Sequence, residues 1–244
     1  VSGAAYVYGY NGSSWSQQTK LTASDRSGWG DSFGNSVSVD DDTIVIGASP
    51  RNTDNTGTAG AAYVYSYTGS NWNQSAILEP SDGVESDYFG TAVAVQADTV
   101  LVGAHGHDNY IGAAYLYRHD GSTWNEEAIL TASDGSPNKY FGTVIALSGA
   151  VALVGTGNAD AAYFYRYNGS NWVEENIVNG SSGLGAAVAV DGDLALVGAY
   201  QNYLGTSAGA AHLYHYNGSN WSEQTELVAR DGVTGDYYGY GVAI

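Results

Sequence analysis

The chain has 244 residues, no cysteine and a formal net charge of −18, from 25 acidic and 7 basic residues. A negative charge of this size repels nucleic acid and anionic membrane surfaces. The lack of cysteine excludes a disulfide framework and thiolate chemistry. No stretch approaches the roughly 20 consecutive apolar residues of a membrane-spanning helix, so membrane insertion is not expected.

Short apolar runs separated by turn residues recur along the chain in the same order. Residues 1–32 hold the second half of a repeat, and complete repeats begin at Phe33, Phe89, Phe141 and Leu184. Each complete repeat predicts four strands, A to D, joined by Gly-rich turns. Residues 238–244 resemble only an opening strand A.

Each strand of the repeat has a character of its own. Strand A has small residues, strand B is apolar throughout, strand C carries Tyr-x-Tyr and strand D is polar, as expected of an outer edge. A turn such as Asn11-Gly12 joins strands C and D, and its glycine supplies the positive φ of a hairpin. A tryptophan follows this turn in five copies, about 50 residues apart: Trp15, Trp72, Trp124, Trp172 and Trp221. A period near 50 with four strands per unit is typical of a β-propeller blade.

We therefore predict an all-β fold, with residues 1–244 forming a single β-propeller domain of five four-stranded blades. Full blades are expected at about 33–88, 89–140, 141–183 and 184–237, and a fifth blade is split between residues 1–32 and 238–244. Strand B of the split blade has no counterpart in the sequence. The alternatives are a longer array, such as a seven-bladed one, and self-assembly in which another copy completes the split blade.

The Phe-Gly pair that opens strand A and the Gly-Ala pair that ends strand B resemble the FG-GAP repeat of integrin α-subunit propellers. This resemblance covers essentially the whole chain and implies a propeller that serves in adhesion, ligand binding or scaffolding. Many integrin-type repeats bind calcium in an Asp-x-Asp-x-Asp-Gly loop between strands A and B. The corresponding turns here are too short for the six or more oxygen ligands that calcium requires.

Acidic residues recur instead in the loops from strand D to the next strand A. In a propeller these loops share a face with the loops from strand B to strand C. Two pairs of carboxylates with similar spacing predict a calcium site there: Asp82 with Asp87, and Asp231 with Asp236. The alternative is that the first aspartate of each pair caps a turn.

The loops from strand B to strand C vary most, and variable loops on a repeated scaffold usually carry binding specificity. Candidate ligand-binding residues in these loops are His105, His107, Asp108, Tyr110, Tyr200 and Tyr203. The five hairpin tryptophans are further candidates as sugar-stacking platforms of a multivalent lectin. The alternative is that each tryptophan packs against a blade.

These patterns favour a secreted or cell-surface, non-catalytic interaction or structural module whose partner is an extracellular protein or a glycan. A multivalent lectin is the alternative. An enzyme is not predicted, because the chain has no phosphate-binding loop, zinc motif or cysteine. Six Asn-x-Ser sequons predict glycosylation in a eukaryote and only turn residues in a bacterium: Asn11, Asn73, Asn168, Asn179, Asn217 and Asn220.

Overall fold

A computed structural model describes residues 3–25, 32–49, 59–157, 160–180, 183–200 and 208–244. These residues form one two-stranded sheet and four four-stranded sheets, all antiparallel and each built from consecutive strands. The all-β prediction is confirmed, and the five sheets fit a five-bladed propeller in which the first sheet has two strands.

The strand bounds follow the predicted order. The two-stranded sheet contains β1 (Ala5–Tyr10) and β2 (Trp15–Leu21). Blade 1 contains β3 (Phe33–Asp40), β4 (Thr43–Ala48), β5 (Ala61–Tyr67) and β6 (Trp72–Leu78). Blade 2 contains β7 (Phe89–Gln96), β8 (Thr99–Ala104), β9 (Ala113–His119) and β10 (Trp124–Leu130), with a short turn, α1 (His107–Tyr110), between β8 and β9.

The last two blades repeat this arrangement. Blade 3 contains β11 (Val144–Ser148), β12 (Val151–Gly155), β13 (Ala161–Tyr167) and β14 (Trp172–Asn179). Blade 4 contains β15 (Leu184–Asp191), β16 (Leu194–Ala199), β17 (Ala210–Tyr216) and β18 (Trp221–Leu227). In each complete blade the four strands are strands A to D in order.

The hydrophobic core lies between neighbouring blades. In blade 2 the fully buried ring of Phe89 meets the rings of Tyr115 and Tyr117 edge-on, with centroids 5.3 and 6.2 Å apart. The Tyr-x-Tyr of strand C thus places both rings on one face, as its period of two predicts. Phe33 and Phe141 pack in the same way against the tyrosines of β5 and β13.

Glycines allow the backbones of neighbouring blades to approach closely. A Cβ added to Gly103, at the end of β8, would overlap the carbonyl oxygen of Gly142 in blade 3. The same relation holds between Gly47 and Gly90 one blade earlier. The Gly-Ala and Phe-Gly pairs of the repeat therefore supply the two glycines of these contacts, and Gly155 and Gly185 meet in the same way between blades 3 and 4.

Side chains at the ends of the A strands hold the A-to-B turn of the following blade. The Asp40 carboxylate accepts a hydrogen bond of 2.6 Å from the backbone N–H of Ala97. Gln96 accepts one from Gly149, and Ser148 accepts one of 2.9 Å from Gly192. These contacts lie on the end of the blades that carries the A-to-B and C-to-D turns, which we call the turn face.

The opposite end, the loop face, carries the B-to-C and D-to-A loops. Antiparallel order places both kinds of loop there, as predicted. Within the described residues, no helix is long and apolar enough to span a membrane.

The first sheet leaves one side of β1 without a strand neighbour in the described part of the chain. A groove of about 420 Å³ lies there, and Tyr6, Tyr8, Val37 and Val39 are among the residues that line it. Residues 238–244 contain no strand, and Tyr238 forms an isolated bridge with Gly209 of blade 4. That residues 1–244 form one domain, with 238–244 belonging to the split blade, stays a prediction.

Candidate functional site

His107, the first residue of α1, lies between two carboxylates on the loop face. Its Nδ1 is 3.3 Å from Asp87 Oδ2, and its Nε2 is 3.7 Å from Asp82 Oδ2. The hydroxyl of Tyr115 donates a 2.8 Å hydrogen bond to Asp82 Oδ1 and lies 3.2 Å from His107 Nδ1. The Asp87 side chain is 1% exposed, whereas His107 at 18% still reaches solvent. A buried carboxylate thus orients an imidazole whose other side can meet a ligand.

The charges of this cluster favour a protonated imidazole. The hydrogen bond from His107 to Asp87 raises the pKa of His107, with smaller contributions from the charges of Asp87, Asp82 and Asp108, while burial acts in the opposite direction. Burial and the hydrogen bond to Asp82 raise the pKa of Tyr115, so its hydroxyl stays neutral and donates. The cluster therefore has an acid–base group of a kind that titrates near neutral pH.

The aspartate–tyrosine pair recurs at other blade junctions, but its cation changes. Tyr63 donates to Asp25 at 2.8 Å, and Tyr163 donates to Asp134 at 2.6 Å. At the second of these junctions the ammonium of Lys139 is 3.1 Å from Asp134. The pair is therefore part of the fold, and the imidazole is what distinguishes the junction of blades 1 and 2.

Next to His107, four aromatic side chains from three loop segments form a cluster. Tyr88 stacks on His105 with ring centroids 4.9 Å apart, and Tyr110 lies 5.5 Å from Tyr140. The distances from Tyr88 to Tyr110 and from His105 to Tyr140 are 6.4 and 6.2 Å. All four rings are half-buried. We call the three tyrosines the tyrosine platform.

The backbone of α1 is left-handed at three residues in succession. Asp108, Asn109 and Tyr110 have φ values of 44°, 63° and 64°. The turn is held by backbone hydrogen bonds from Gly112 to His107 at 2.9 Å and from Tyr140 to Tyr110 at 2.9 Å. Non-glycine residues rarely adopt this conformation, and strained segments of this kind cluster at ligand-binding and catalytic sites.

The structure brings together several of the predicted site residues. His105, His107, Asp108 and Tyr110 share one loop, and Asp82 and Asp87 flank His107. His107 thus lies between two of the carboxylates for which calcium was predicted, and the described residues contain no group of three or more His, Asp or Glu side chains that could hold a metal ion. Calcium binding stays a prediction.

Other predicted residues lie at the far end of the chain. Tyr200 lies 6.0 Å from Tyr237 and 5.5 Å from Tyr240, in a separate aromatic group. Asp236 accepts a 2.8 Å hydrogen bond from the backbone of Val233, and Asp231 is exposed. Tyr203 lies outside the described residues.

Two members of the aromatic cluster, Tyr88 and Tyr140, were missed by sequence reasoning. A signal for them existed, because a tyrosine stands directly before the strand A opening at Tyr88, Tyr140 and Tyr237. All three have φ near 55°, at 56°, 56° and 53°.

The five tryptophans lie on the opposite end of the blades, at the hairpins of the turn face. Each packs on the last ring of its own strand C, with ring centroids 5.0–5.6 Å apart: Trp15 on Tyr10, Trp72 on Tyr67, Trp124 on His119, Trp172 on Tyr167 and Trp221 on Tyr216. Four of them also pack against the cores between sheets: Trp72, Trp124, Trp172 and Trp221. Each tryptophan thus packs against a blade, which is the alternative to the sugar-stacking role.

The sequon asparagines are all exposed, and several serve in turns. The side-chain oxygens of Asn11, Asn168 and Asn217 each accept hydrogen bonds from the backbone two and three residues later. Asn73 donates to Thr68, Asn179 ends β14 and Asn220 lies in the last hairpin. Glycosylation stays a prediction.

A cavity of about 470 Å³ opens on the turn face between blades 2 and 3. Arg118, which lines it, is paired with Asp98 at 3.1 Å and Glu127 at 2.8 Å and lies over the ring of Tyr167. Because its charged groups already have partners, this cavity offers less reactive chemistry than the His107 cluster.

The comparisons with known proteins agree with this fold. The sequence pattern of the FG-GAP repeat matches residues 15–65, 72–117, 124–172 and 221–244. A search of curated proteins finds no match.

Three solved structures illustrate the similarity in fold. A functionally unknown protein from Desulfotomaculum acetoxidans is 10% identical, with a TM-score of 0.62 over 93% of this chain and 63% of that one. A putative 6-phosphogluconolactonase from Bacteroides uniformis is 9% identical, with a TM-score of 0.60 over 93% and 64%. A periplasmic gluconolactonase from Pseudomonas aeruginosa is 12% identical, with a TM-score of 0.60 over 92% and 64%. The chain thus spans less than two thirds of each of these structures.

The last two structures correct the predicted function. The predictions of a non-catalytic adhesion-type module, of a lectin and of no enzyme are wrong, because proteins named as lactonases share this fold. The error lay in arguing from a family resemblance to a function, since one fold hosts many activities. At 9 and 12% identity these two structures show a common fold alone. Because the matched repeats cover more than half of the chain and reach every complete blade, the protein belongs to the FG-GAP repeat family.

Proposed function

We propose that the chain carries the active site of a hydrolase that opens a lactone or an ester, with His107 as the general base. The observation that supports this proposal is the position of His107 between the buried carboxylate of Asp87 and the exposed carboxylate of Asp82. The names of two structures with the same fold, a 6-phosphogluconolactonase and a gluconolactonase, supply the substrate class.

The chemistry requires a neutral imidazole whose Nδ1–H donates to Asp87. Nε2 then takes a proton from a water molecule as the water oxygen adds to the carbonyl carbon of the substrate. The bond between that carbon and the ring or ester oxygen breaks, and the leaving oxygen takes the proton from Nε2. One water is consumed, a hydroxy acid or an acid and an alcohol form, and no oxidant is needed. Asp87 stabilises the imidazolium between the two proton transfers.

The geometry of the cluster suits each of these roles. Tyr115 and Asp87 hold the ring from one side, whereas Nε2 is 3.7 Å from Asp82, beyond hydrogen-bond distance. Because the carboxylates raise the pKa of His107 above the ordinary histidine value of about 6.5, we expect the rate to rise with pH through a value above 6.5.

The test measures hydrolysis of glucono-δ-lactone, of its 6-phosphate and of a phenyl ester in a pH-stat, each corrected for hydrolysis in buffer. We expect His107→Gln to lower the rate by about 10²- to 10⁴-fold, the usual contribution of a general base. His212→Gln is the matched control, because His212 lies 3.0 Å from the Glu223 carboxylate in blade 4. The proposal fails if the unaltered chain is no faster than buffer or if His107→Gln retains the full rate.

A further inference from the structure

We propose that the tyrosine platform, Tyr88, Tyr110 and Tyr140, together with His105, is the subsite that holds the ring of an uncharged cyclic substrate. This inference rests on the proposed hydrolase function and specifies its substrate. Two chain links place the subsite beside the base: Tyr88 follows Asp87 directly, and His105 precedes His107 by two residues.

The rings of the subsite are arranged as a binding surface rather than as core. Tyr88 and His105 are stacked at an interplanar angle of 12°, and Tyr110 and Tyr140 are tilted to them. Their half-buried state contrasts with the full burial of Tyr115 one strand away. Aromatic faces bind the C–H faces of flat or ring-shaped ligands, and their hydroxyl groups give polar contacts at the edge. A hydrogen bond with the Tyr110 side chain raises the pKa of Tyr88, so the Tyr88 phenol is neutral.

The backbone beneath the tyrosines points to a role for the rings themselves. Tyr88 and Tyr140 adopt a φ of 56° directly before strand A, and the same position holds Gly183 in blade 4 with a φ of 84°. A positive φ is what this turn requires, and glycine meets that requirement without steric strain. A tyrosine therefore has a conformational cost in this turn, a position that also holds Ser32 and Tyr237, and contacts of the ring with a ligand would offset that cost at Tyr88 and Tyr140.

His105 keeps the subsite uncharged. Burial lowers the pKa of His105, so its ring is neutral at pH 7. Its Nδ1 is buried and has no hydrogen-bond partner among the described residues, which makes protonation there still less favourable. The surface therefore offers neutral rings, and no charge of its own, to a ligand.

The charges around the subsite disfavour an anionic substrate. Asp82, Glu85 and Asp108 are exposed in the adjoining loops, and the chain has a net charge of −18. Lys139 precedes Tyr140, but its ammonium is paired with Asp134. An unphosphorylated lactone should therefore bind and react better than the same lactone with a phosphate group.

The experiment uses glucono-δ-lactam, a stable analogue of the lactone, with binding measured by calorimetry and melting measured separately. We expect Tyr88→Gly and Tyr140→Gly to weaken lactam binding at least tenfold, and to raise KM more than they lower kcat. Because glycine relieves the backbone strain, we expect neither melting temperature to fall by more than about 2 °C. The matched control is Ser32→Gly, which relieves the same backbone position in blade 1, where φ is 44°, without removing a ring.

Separate outcomes test the subsite and the base. Lactam binding that is lost in Tyr88→Gly and kept in His107→Gln, without any hydrolysis, supports the subsite and overturns the hydrolase. Hydrolysis that depends on His107 but has the same KM in Tyr88→Gly overturns the subsite alone. The subsite is also overturned if the unaltered chain does not bind the lactam at millimolar concentration, if it prefers the phosphorylated lactone, or if Tyr88→Gly melts well below Ser32→Gly.

Discussion

Equivalent aspartate–tyrosine pairs at two successive blade junctions have different basic neighbours. His107 lies beside the pair between blades 1 and 2, and Lys139 lies beside the pair between blades 2 and 3. At the second junction, Lys139 occupies the chain position that corresponds to Asp87. The two junctions therefore balance their charges differently, with a titratable imidazole in one and an ammonium in the other.

The stability of the protein should depend on pH through His107. Asp87 raises the folded-state pKa of His107 above its unfolded value of about 6.5, so the stabilisation is fully present below that value. It is lost as pH rises through the folded-state pKa. In urea unfolding between pH 5 and 9, we expect the free-energy difference between the unaltered chain and His107→Gln to shrink with rising pH.

His105→Gln is the matched control, since burial lowers the pKa of His105. The stabilisation from neutral His105 is present above about pH 6.5 and is lost as pH falls. The difference in unfolding free energy between the unaltered chain and His105→Gln should therefore grow with rising pH. If the free-energy difference changed with pH by the same slope in both variants, the assigned environments of these histidines would be contradicted.

His107, Asp82 and Asp87 were all predicted as site residues, but the sequence pattern assigned them to two different sites. The contact between His107 and Asp87 joins residues 20 apart, across a strand A and a strand B, and no local pattern encodes it. The carboxylates alone indicated calcium because their cationic partner comes from another loop. The recurrence of a tyrosine before the strand A opening was the available signal for Tyr88, but residue type does not show the positive φ of that tyrosine.

At the scale of elements, the strands were predictable because alternation and turn chemistry are local. The Asn-Gly turns, the two tyrosines of strand C and the apolar strand B all lie where the repeat places them. The packing between blades is not local, and it explains the glycines of the Gly-Ala and Phe-Gly pairs. Gly103 and Gly142 are conformationally unlike: Gly142 has a φ of 88°, whereas Gly103 is needed only for space.

Gly103→Ala should push blades 2 and 3 apart. The added methyl group meets the backbone of Gly142, which cannot rotate away as a side chain would, so we expect a loss of about 1–3 kcal/mol in unfolding free energy. Gly241→Ala is the matched control, because a Cβ at Gly241 meets nothing within 4 Å and its φ is ordinary. Its effect should stay within about 0.5 kcal/mol in the same urea titration. Similar losses in both variants would show that the close approach is not what Gly103 provides.

On the scale of the whole molecule, the main feature is the excess of acidic over basic residues. The described ion pairs are few beside 25 acidic residues, and those of Arg118, Arg166 and Lys139 are partly exposed. Exposed pairs contribute little, so repulsion among the unpaired carboxylates outweighs them. The net charge follows from the sequence alone, but its distribution between paired and unpaired carboxylates required the structure.

Added salt should therefore stabilise the chain. Between about 0.02 and 0.3 M NaCl the Debye length falls several-fold, which screens the repulsion, so we expect the melting temperature to rise by several degrees. Tetramethylammonium chloride at equal ionic strength is the control, since it screens without binding carboxylates closely. A melting temperature that falls with either salt would mean that the ion pairs outweigh the repulsion.

The hydrogen bond between Tyr115 and Asp82 has a consequence for how such a chain can grow by gene duplication. The aspartate follows β6 of one blade, whereas the tyrosine lies in β9 of the next. A duplicated segment that holds only the four strands and lacks the connecting loop leaves a buried phenol without its acceptor. A segment that begins at the aspartate and ends after the following strand D keeps both. Before blade 4 the loop has no aspartate, and the tyrosine is replaced by His212, which pairs with Glu223 of its own blade instead. The hydrogen-bonded unit of this repeat is thus offset from its structural unit by one loop.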